Sequence, residues 1–208
     1  MYKHVFRTKT MGQRPQDRVD LLYNLCCHRY GSEWGNKIFD QNFKWLMATD
    51  FFEAPASTKY HGTYAGGLFD HSMNVAKVLL WLTNEQGICT WDRPESPLFV
   101  GILHDATKIG QYLLTQDMNP ETGEMEPVYI WNKDHLRESK VHGEDSILVV
   151  CKHALMSPEE RACIRFHMGA YETEDWPQYD LAIKKYPNVL WTHTADMIAS
   201  KLMEGDMK

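Results

Sequence analysis

Long hydrophobic runs are missing from this chain of 208 residues. No stretch approaches the ~20 apolar residues that a membrane-spanning helix needs. The first ten residues, Met-Tyr-Lys-His-Val-Phe-Arg-Thr-Lys-Thr, carry no apolar segment of the signal-peptide kind. Cysteine is sparse, with five at positions 26, 27, 89, 151 and 163. The number is odd, two are adjacent and no Cys-x-x-Cys occurs, so a disulfide framework is not expected. Reduced thiols and a cytoplasmic setting are. Positive charge is in deficit: 22 Lys and Arg against 28 Asp and Glu leave a net charge of −6. That argues against a long nucleic acid as the main ligand. Internal repeats and low-complexity tracts are also lacking.

What remains is the make-up of a globular chain, 43% hydrophobic and 24% charged, of a length that suits one domain. Histidine is plentiful at ten residues, which raises the expectation of a metal site. The most informative pair is His104-Asp105, at the end of the apolar run Phe99-Val-Gly-Ile-Leu103 and one helical turn before Lys108. Imidazole nitrogen and carboxylate oxygen from one turn suit Fe, Mn, Co, Zn or Ni, or Mg with less help from histidine.

The periodicity is mostly helical. Helices are predicted over residues 15–28, 33–47 and 69–84, and over 97–107 with Ser96 as cap. Further helices are predicted over 142–155, after the capping box Ser157-Pro-Glu-Glu160 up to His167, over 179–185 and over 187–204. Residues 51–67 read as an ordered loop and 169–177 as a loop rich in aromatics and acids. Gln111–Thr115 and Pro127–Trp131 are β-like around Asn119-Pro-Glu-Thr-Gly123, so 110–131 is expected to be a β-hairpin insertion. It either covers the site and selects substrates or is a surface insertion.

Six residues stand near an end or on an apolar face of a predicted helix: His71, His104, Asp105, His142, His167 and Asp196. Facing helices build metal sites from such positions. His71, His104, Asp105 and Asp196 are expected to hold one ion. Asp105 is expected to bridge to a second ion held by His142 and His167. A buried Asp196 needs a cation. The alternative for any one histidine is a hydrogen-bonded core residue, and His28, His153 and His193 are assigned to it. Lys108 lies three residues after Asp105 and is expected to contact phosphate. His61, in a Gly-flanked loop, either binds phosphate and protonates a leaving oxygen or structures the loop. Arg165 is a weaker phosphate candidate. Tyr171, Trp176 and Tyr179 are candidates for stacking on a base.

Gly66-Gly-Leu-Phe-Asp-His-Ser72, Leu103-His-Asp-Ala-Thr-Lys108 and Thr194-Ala-Asp-Met-Ile198, with His142-Gly143 and His167-Met-Gly169 between, resemble the HD-domain metal-dependent phosphohydrolase superfamily. The resemblance covers about residues 60–204 and points to its six-ligand, dinuclear-type subset. It implies an all-α helical bundle: one HD-type domain over 1–208, with a helical extension at 1–55, a metal-binding core at 60–204 and the hairpin as an insertion. It implies an enzyme that cleaves a nucleotide or small phosphodiester or phosphoanhydride with a metal-activated hydroxide. Asp105, Lys108 and His61 would be catalytic, and Lys108, His61 and Arg165 would contact substrate. The cofactor would be two divalent ions, Fe, Mn, Co or Ni, with Mg or Zn also compatible. Ala106-Thr107 departs from the small residues common before the lysine, which bears on packing rather than ligation. A nucleotide-sensing module without catalysis and an HD-type di-iron oxygenase are the alternatives.

Overall fold

The computed structural model describes residues 7–169 and 176–204. It is mostly helical, with one two-stranded antiparallel sheet. The helices are α1 (Pro15–Tyr30), α2 (Ser32–Asn42), α3 (Gly67–Asn84), α4 (Ser96–Leu103), α5 (His142–Cys151), α6 (Pro158–Arg165), α7 (Trp176–Lys185) and α8 (Asn188–Met197). The strands are β1 (Tyr112–Met118) and β2 (Met125–Trp131).

α3 is the central element. It is buried almost all round, from Gly67 through Ala76 and from Val78 through Leu82. Its polar residues Asp70, His71 and Asn74 are buried too and so need partners inside the molecule. It packs against α4, α8 and the turn that follows α8. α4 approaches α3 closely because Gly101 has no side chain: a Cβ there would stand 2.3 Å from the Ala76 Cα. That contact brings His71 of α3 next to His104 at the end of α4.

The start of α3 is pinned by Arg18, a residue only 1% exposed. Burying this charge would be costly without partners. Arg18 donates to Thr10 Oγ1 at 2.7 Å, Phe52 O at 2.8 Å, Ala65 O at 2.8 Å and Thr10 O at 3.1 Å. It thereby joins α1, the 51–66 loop and the segment before α1. Gly66 caps α3 with φ +90°, and a Cβ there would meet the Arg18 guanidinium carbon at 2.2 Å. Asp70 of α3 accepts from Thr10 N, Thr10 Oγ1 and the Tyr64 hydroxyl, each at 2.7 Å.

Several expectations change at this level. Residues 33–47 are not one helix: α2 stops at Asn42, and Lys44–Ala48 form a 3-10 turn. At the two ends of that span, Trp34 and Met47 are exposed. Ser96 does not cap α4. It is buried inside the helix and donates to Glu160 Oε1 at 2.7 Å. The capping box at Ser157 forms as expected, with Glu160 N donating to Ser157 Oγ and Ser157 N to Glu160 Oε2. His28 and His153 are exposed, not core residues. His153 stacks on Trp45 with ring centroids 4.3 Å apart. Tyr179 is core, packed on Phe166, so it has no face for a base. Trp176 is 53% exposed at the start of α7, and Tyr171 lies outside the described residues.

The hairpin forms with Tyr112 opposite Trp131 and Met118 opposite Met125. Its strands are largely exposed.

Candidate metal centre

Asp105 stands where α4 breaks. The helix was expected to reach Thr107, but it ends at Leu103. Asp105 leaves helical geometry at φ −103° and ψ 22°, and Ala106–Lys108 close a 3-10 turn. Thr107 is fully buried in that turn and donates its hydroxyl to Asp145 of α5. Asp145 also accepts from Glu138 N at 2.7 Å and Ser139 N at 3.0 Å. The residue before Lys108 therefore does bear on packing: it ties the His-Asp turn to the start of α5, where His142 sits.

The two Asp105 oxygens face two groups of histidines. Oδ2 is 3.6 Å from His71 Nε2 and 3.6 Å from His104 Nε2. Those two nitrogens are 3.3 Å apart, and His71 Nε2 is 3.2 Å from Asp196 Oδ1. Oδ1 is 2.6 Å from His142 Nε2 and 3.5 Å from His167 Nε2. Four of the six expected ligands, His71, His104, His142 and His167, thus face the carboxylate of a fifth, Asp105, and Asp196 joins them through His71. His104 and His167 are fully buried, and His71 is 1% exposed.

Ring orientation decides what the inward nitrogens offer. His104 Nδ1 is 2.9 Å from Gly101 O, and His167 Nδ1 is 2.7 Å from Ile164 O. A carbonyl only accepts, so each Nδ1 carries the proton and each Nε2 presents a lone pair. His71 Nδ1 lies 3.3 Å from both Glu204 oxygens, which favours the same tautomer. Lone pairs and carboxylates converge, with His167 Nε2 buried and without a hydrogen-bond partner. Such a set is satisfied by positive charge. Donors held ~2.1 Å from one ion lie about 3.0 Å apart at octahedral angles and about 3.4 Å at tetrahedral ones. The 3.2–3.6 Å separations around His71, His104, Asp105 and Asp196 fit that spacing. The donors of His71, His104 and Asp196 form one compact group capable of holding a metal ion, and those of His104, Asp105 and His167 form another.

His142 differs from the other three. Its Nδ1 is 3.0 Å from the Arg137 guanidinium, which only donates. The Nε2 therefore carries the proton and donates to Asp105 Oδ1. In this arrangement His142 supports the carboxylate, and metal ligation through Nε2 requires Arg137 to move.

The electrostatics follow the geometry. Burial pushes the His104 imidazole down to about 3, against the pull of Asp105. Burial also opposes a charged His71, but Glu204 and Asp196 override it and raise that pKa to about 10, so without a cation Nε2 also carries a proton, shared with Asp196, and its lone pair is free only where a bound cation takes that proton's place. Burial would raise the Asp105 carboxyl, yet Lys108 and the histidines around it hold it well below the usual carboxylate range. Lys108 Nζ is 2.7 Å from Asp105 Oδ2.

A pocket of about 410 Å³ opens over this cluster. Tyr60, His61, Lys108, Met168, His193 and Lys201 are among its walls. His61 Nε2 is buried without a hydrogen-bond partner, and the His61 ring lies 4.6 Å from that of His71. Burial, then His71 and Lys108, push His61 down to about 4, so it is neutral near pH 7. Arg165 does not line the pocket. It is held by Glu144, with Nη2 at 2.7 Å from Oε1. No hairpin residue lines the pocket either. The largely exposed strands of the hairpin accord with the surface-insertion alternative.

Two residues at the site escaped sequence reasoning. His193, set aside as a core histidine, donates from Nδ1 to His167 O at 2.8 Å and lines the pocket. Glu204 was only the predicted end of the last helix. It is buried at 5% exposure against His71. The signal for His193 was its position three residues before Asp196. Comparison with protein-family models, with curated proteins and with solved structures yields no match for this chain.

Proposed function

We propose that the pocket is the active site of a divalent-metal-dependent phosphohydrolase of the HD type, acting on a nucleotide or another small phosphodiester or phosphoanhydride. The observation that carries this reading is the placement of Asp105, with one oxygen toward His71 and His104, the other toward His142 and His167, and Lys108 against it. Divalent ions bound there would supply Lewis acidity toward phosphoryl oxygens and lower the pKa of a coordinated water.

The chain's own residues supply the rest. Lys108 lines the pocket and lies against Asp105, so it brings a fixed positive charge to a phosphate seated over the carboxylate. Lys201 stands exposed on the same pocket and meets the outer part of a charged substrate. His61 and His193 line the wall and offer imidazole groups to a bridging or leaving oxygen. Met168 and Met197 give an apolar wall that suits a planar base. The two-ion form is the expectation from six ligands. The donors of His71, His104 and Asp196 already lie close enough to share one ion, whereas His142 Nδ1 is engaged by Arg137.

The test is metal analysis of the purified protein followed by a panel of nucleotides, cyclic nucleotides and dinucleotides, read for phosphate and nucleoside products. Turnover lost in Asp105→Ala with the fold retained supports the reading. Metal binding and nucleotide binding without turnover would favour a sensing module. Substrate-dependent oxygen uptake would favour a di-iron oxygenase.

A further inference from the structure

The last described turn of the chain continues α8 in a wider winding. Residues Ile198–Met203 form a π-turn, and Glu204 N donates to Ala199 O at 3.0 Å, five residues back. In a continuous α-helix, eight residues rotate through about 800°, which would leave Glu204 about 80° off the line of Asp196. One widened turn takes up about one extra residue and cancels most of that offset. Asp196 and Glu204 consequently reach the same imidazole from its two nitrogens: Asp196 Oδ1 is 3.2 Å from His71 Nε2, and both Glu204 oxygens are 3.3 Å from His71 Nδ1.

Glu204 is itself held. Asn74, one turn after His71 on α3, donates to Glu204 Oε1 at 2.9 Å. Asn74 is fully buried and fixed in turn by Thr8, whose N–H donates to Asn74 Oδ1 at 2.6 Å and whose carbonyl accepts from Asn74 Nδ2 at 3.3 Å. A buried carboxylate, a buried amide and a strap of backbone thus end on one ring nitrogen. Burying Glu204 is unfavourable for a charged carboxylate unless such partners repay it.

We propose that Glu204 is a positioning residue of the metal centre. Its carboxylate keeps the His71 proton on Nδ1, fixes the plane of the ring and leaves the Nε2 lone pair directed at His104, Asp105 and Asp196. The π-turn is the backbone device that aims it. This rests on the metal-centre reading of His71, His104, Asp105 and Asp196. Carboxylates behind ligating histidines raise ligand basicity, and losing one typically costs 10–100-fold in metal affinity.

The experiment is calorimetric titration of the metal-free full chain with cobalt(II), with the visible absorption of the bound ion recorded alongside. Wild type, Glu204→Ala and Glu204→Gln are compared, each with a melting curve of the metal-free form. The expected result is affinity reduced 10–100-fold in Glu204→Ala with the cobalt bands in place, because the ligand set is intact. Glu204→Gln keeps an acceptor oxygen for the His71 proton and is expected to fall between the two. Wild-type affinity in both variants overturns the proposal. A changed cobalt spectrum in Glu204→Gln also overturns it, since Glu204 would then be a ligand. Should Glu204→Ala fail to fold, Glu204→Gln decides by the same criteria. If the wild type binds no cobalt, it is the metal-centre reading that fails, a result distinct from equal binding by wild type and variants.

Discussion

A carboxylate as buried as Asp105, with four imidazoles and an ammonium around it, has no structural use that an apolar residue would not serve better. Asp105→Ala is therefore expected to abolish metal binding, measured by metal content after dialysis, while circular dichroism stays helical. Lys108→Met keeps the length of the side chain and removes the charge. On the proposed phosphohydrolase reading it is expected to lower kcat/KM by about 10–100-fold, the worth of one hydrogen bond to a charged group. An unchanged value would remove Lys108 from the substrate site. The thiols give an independent check of residue environments. Burial pushes Cys26 and Cys89 up to about 12 and raises Cys163, whereas Cys151 is exposed. Brief alkylation of the native protein followed by peptide mapping should label Cys151 and leave Cys26, Cys89 and Cys163 unlabelled. The cluster of His71, His104, Asp105, His142, His167 and Asp196 was legible at this scale because histidine and aspartate on apolar faces are chemically anomalous. Arg165 was misjudged for the converse reason: an arginine is at home on a surface, and its partner Glu144 is 21 positions away.

Elements carry the site through close packing and through their breaks. Gly101 lets α4 touch α3, and its carbonyl orients His104. Gly101→Ala forces the two backbones apart. It is expected to cost at least about 2 kcal/mol in denaturant unfolding and to weaken metal binding together with stability. Stability within about 0.5 kcal/mol of wild type would mean that the helices do not meet there. α3, α6 and the hairpin strands were readable from apolar spacing, a capping box and turn residues. The breaks were not. The end of α4 before His104 and the π-turn after α8 lie where tertiary contacts act, Thr107 with Asp145 and Glu204 with Asn74. Local propensity holds no record of those contacts. Glu204 was hidden for this reason, since the face it occupies exists only once the π-turn forms.

At the scale of the molecule, one contiguous core runs from α1 and α2 through α3 and α4 to α6 and α8, and the hairpin stands outside it. Gln111 and Asn132 close the base of the hairpin, with Asn132 N donating to Gln111 O at 2.9 Å. Replacing residues 113–130 by a short Gly-Ser turn should leave the melting temperature within a few degrees and metal content unchanged. Loss of metal in that variant would make the hairpin part of the centre. Among the described residues, no helix is long and apolar enough to cross a membrane. The central claim is that the converging set of His71, His104, Asp105 and Asp196 binds a divalent cation. The most direct measurement is elemental analysis of protein loaded with manganese, iron or cobalt and then freed of excess, wild type beside His104→Ala and Asp105→Ala. At least one ion per chain in the wild type, lost in both variants, is the predicted result. A wild-type chain without stoichiometric metal, or variants that keep it, would contradict the account.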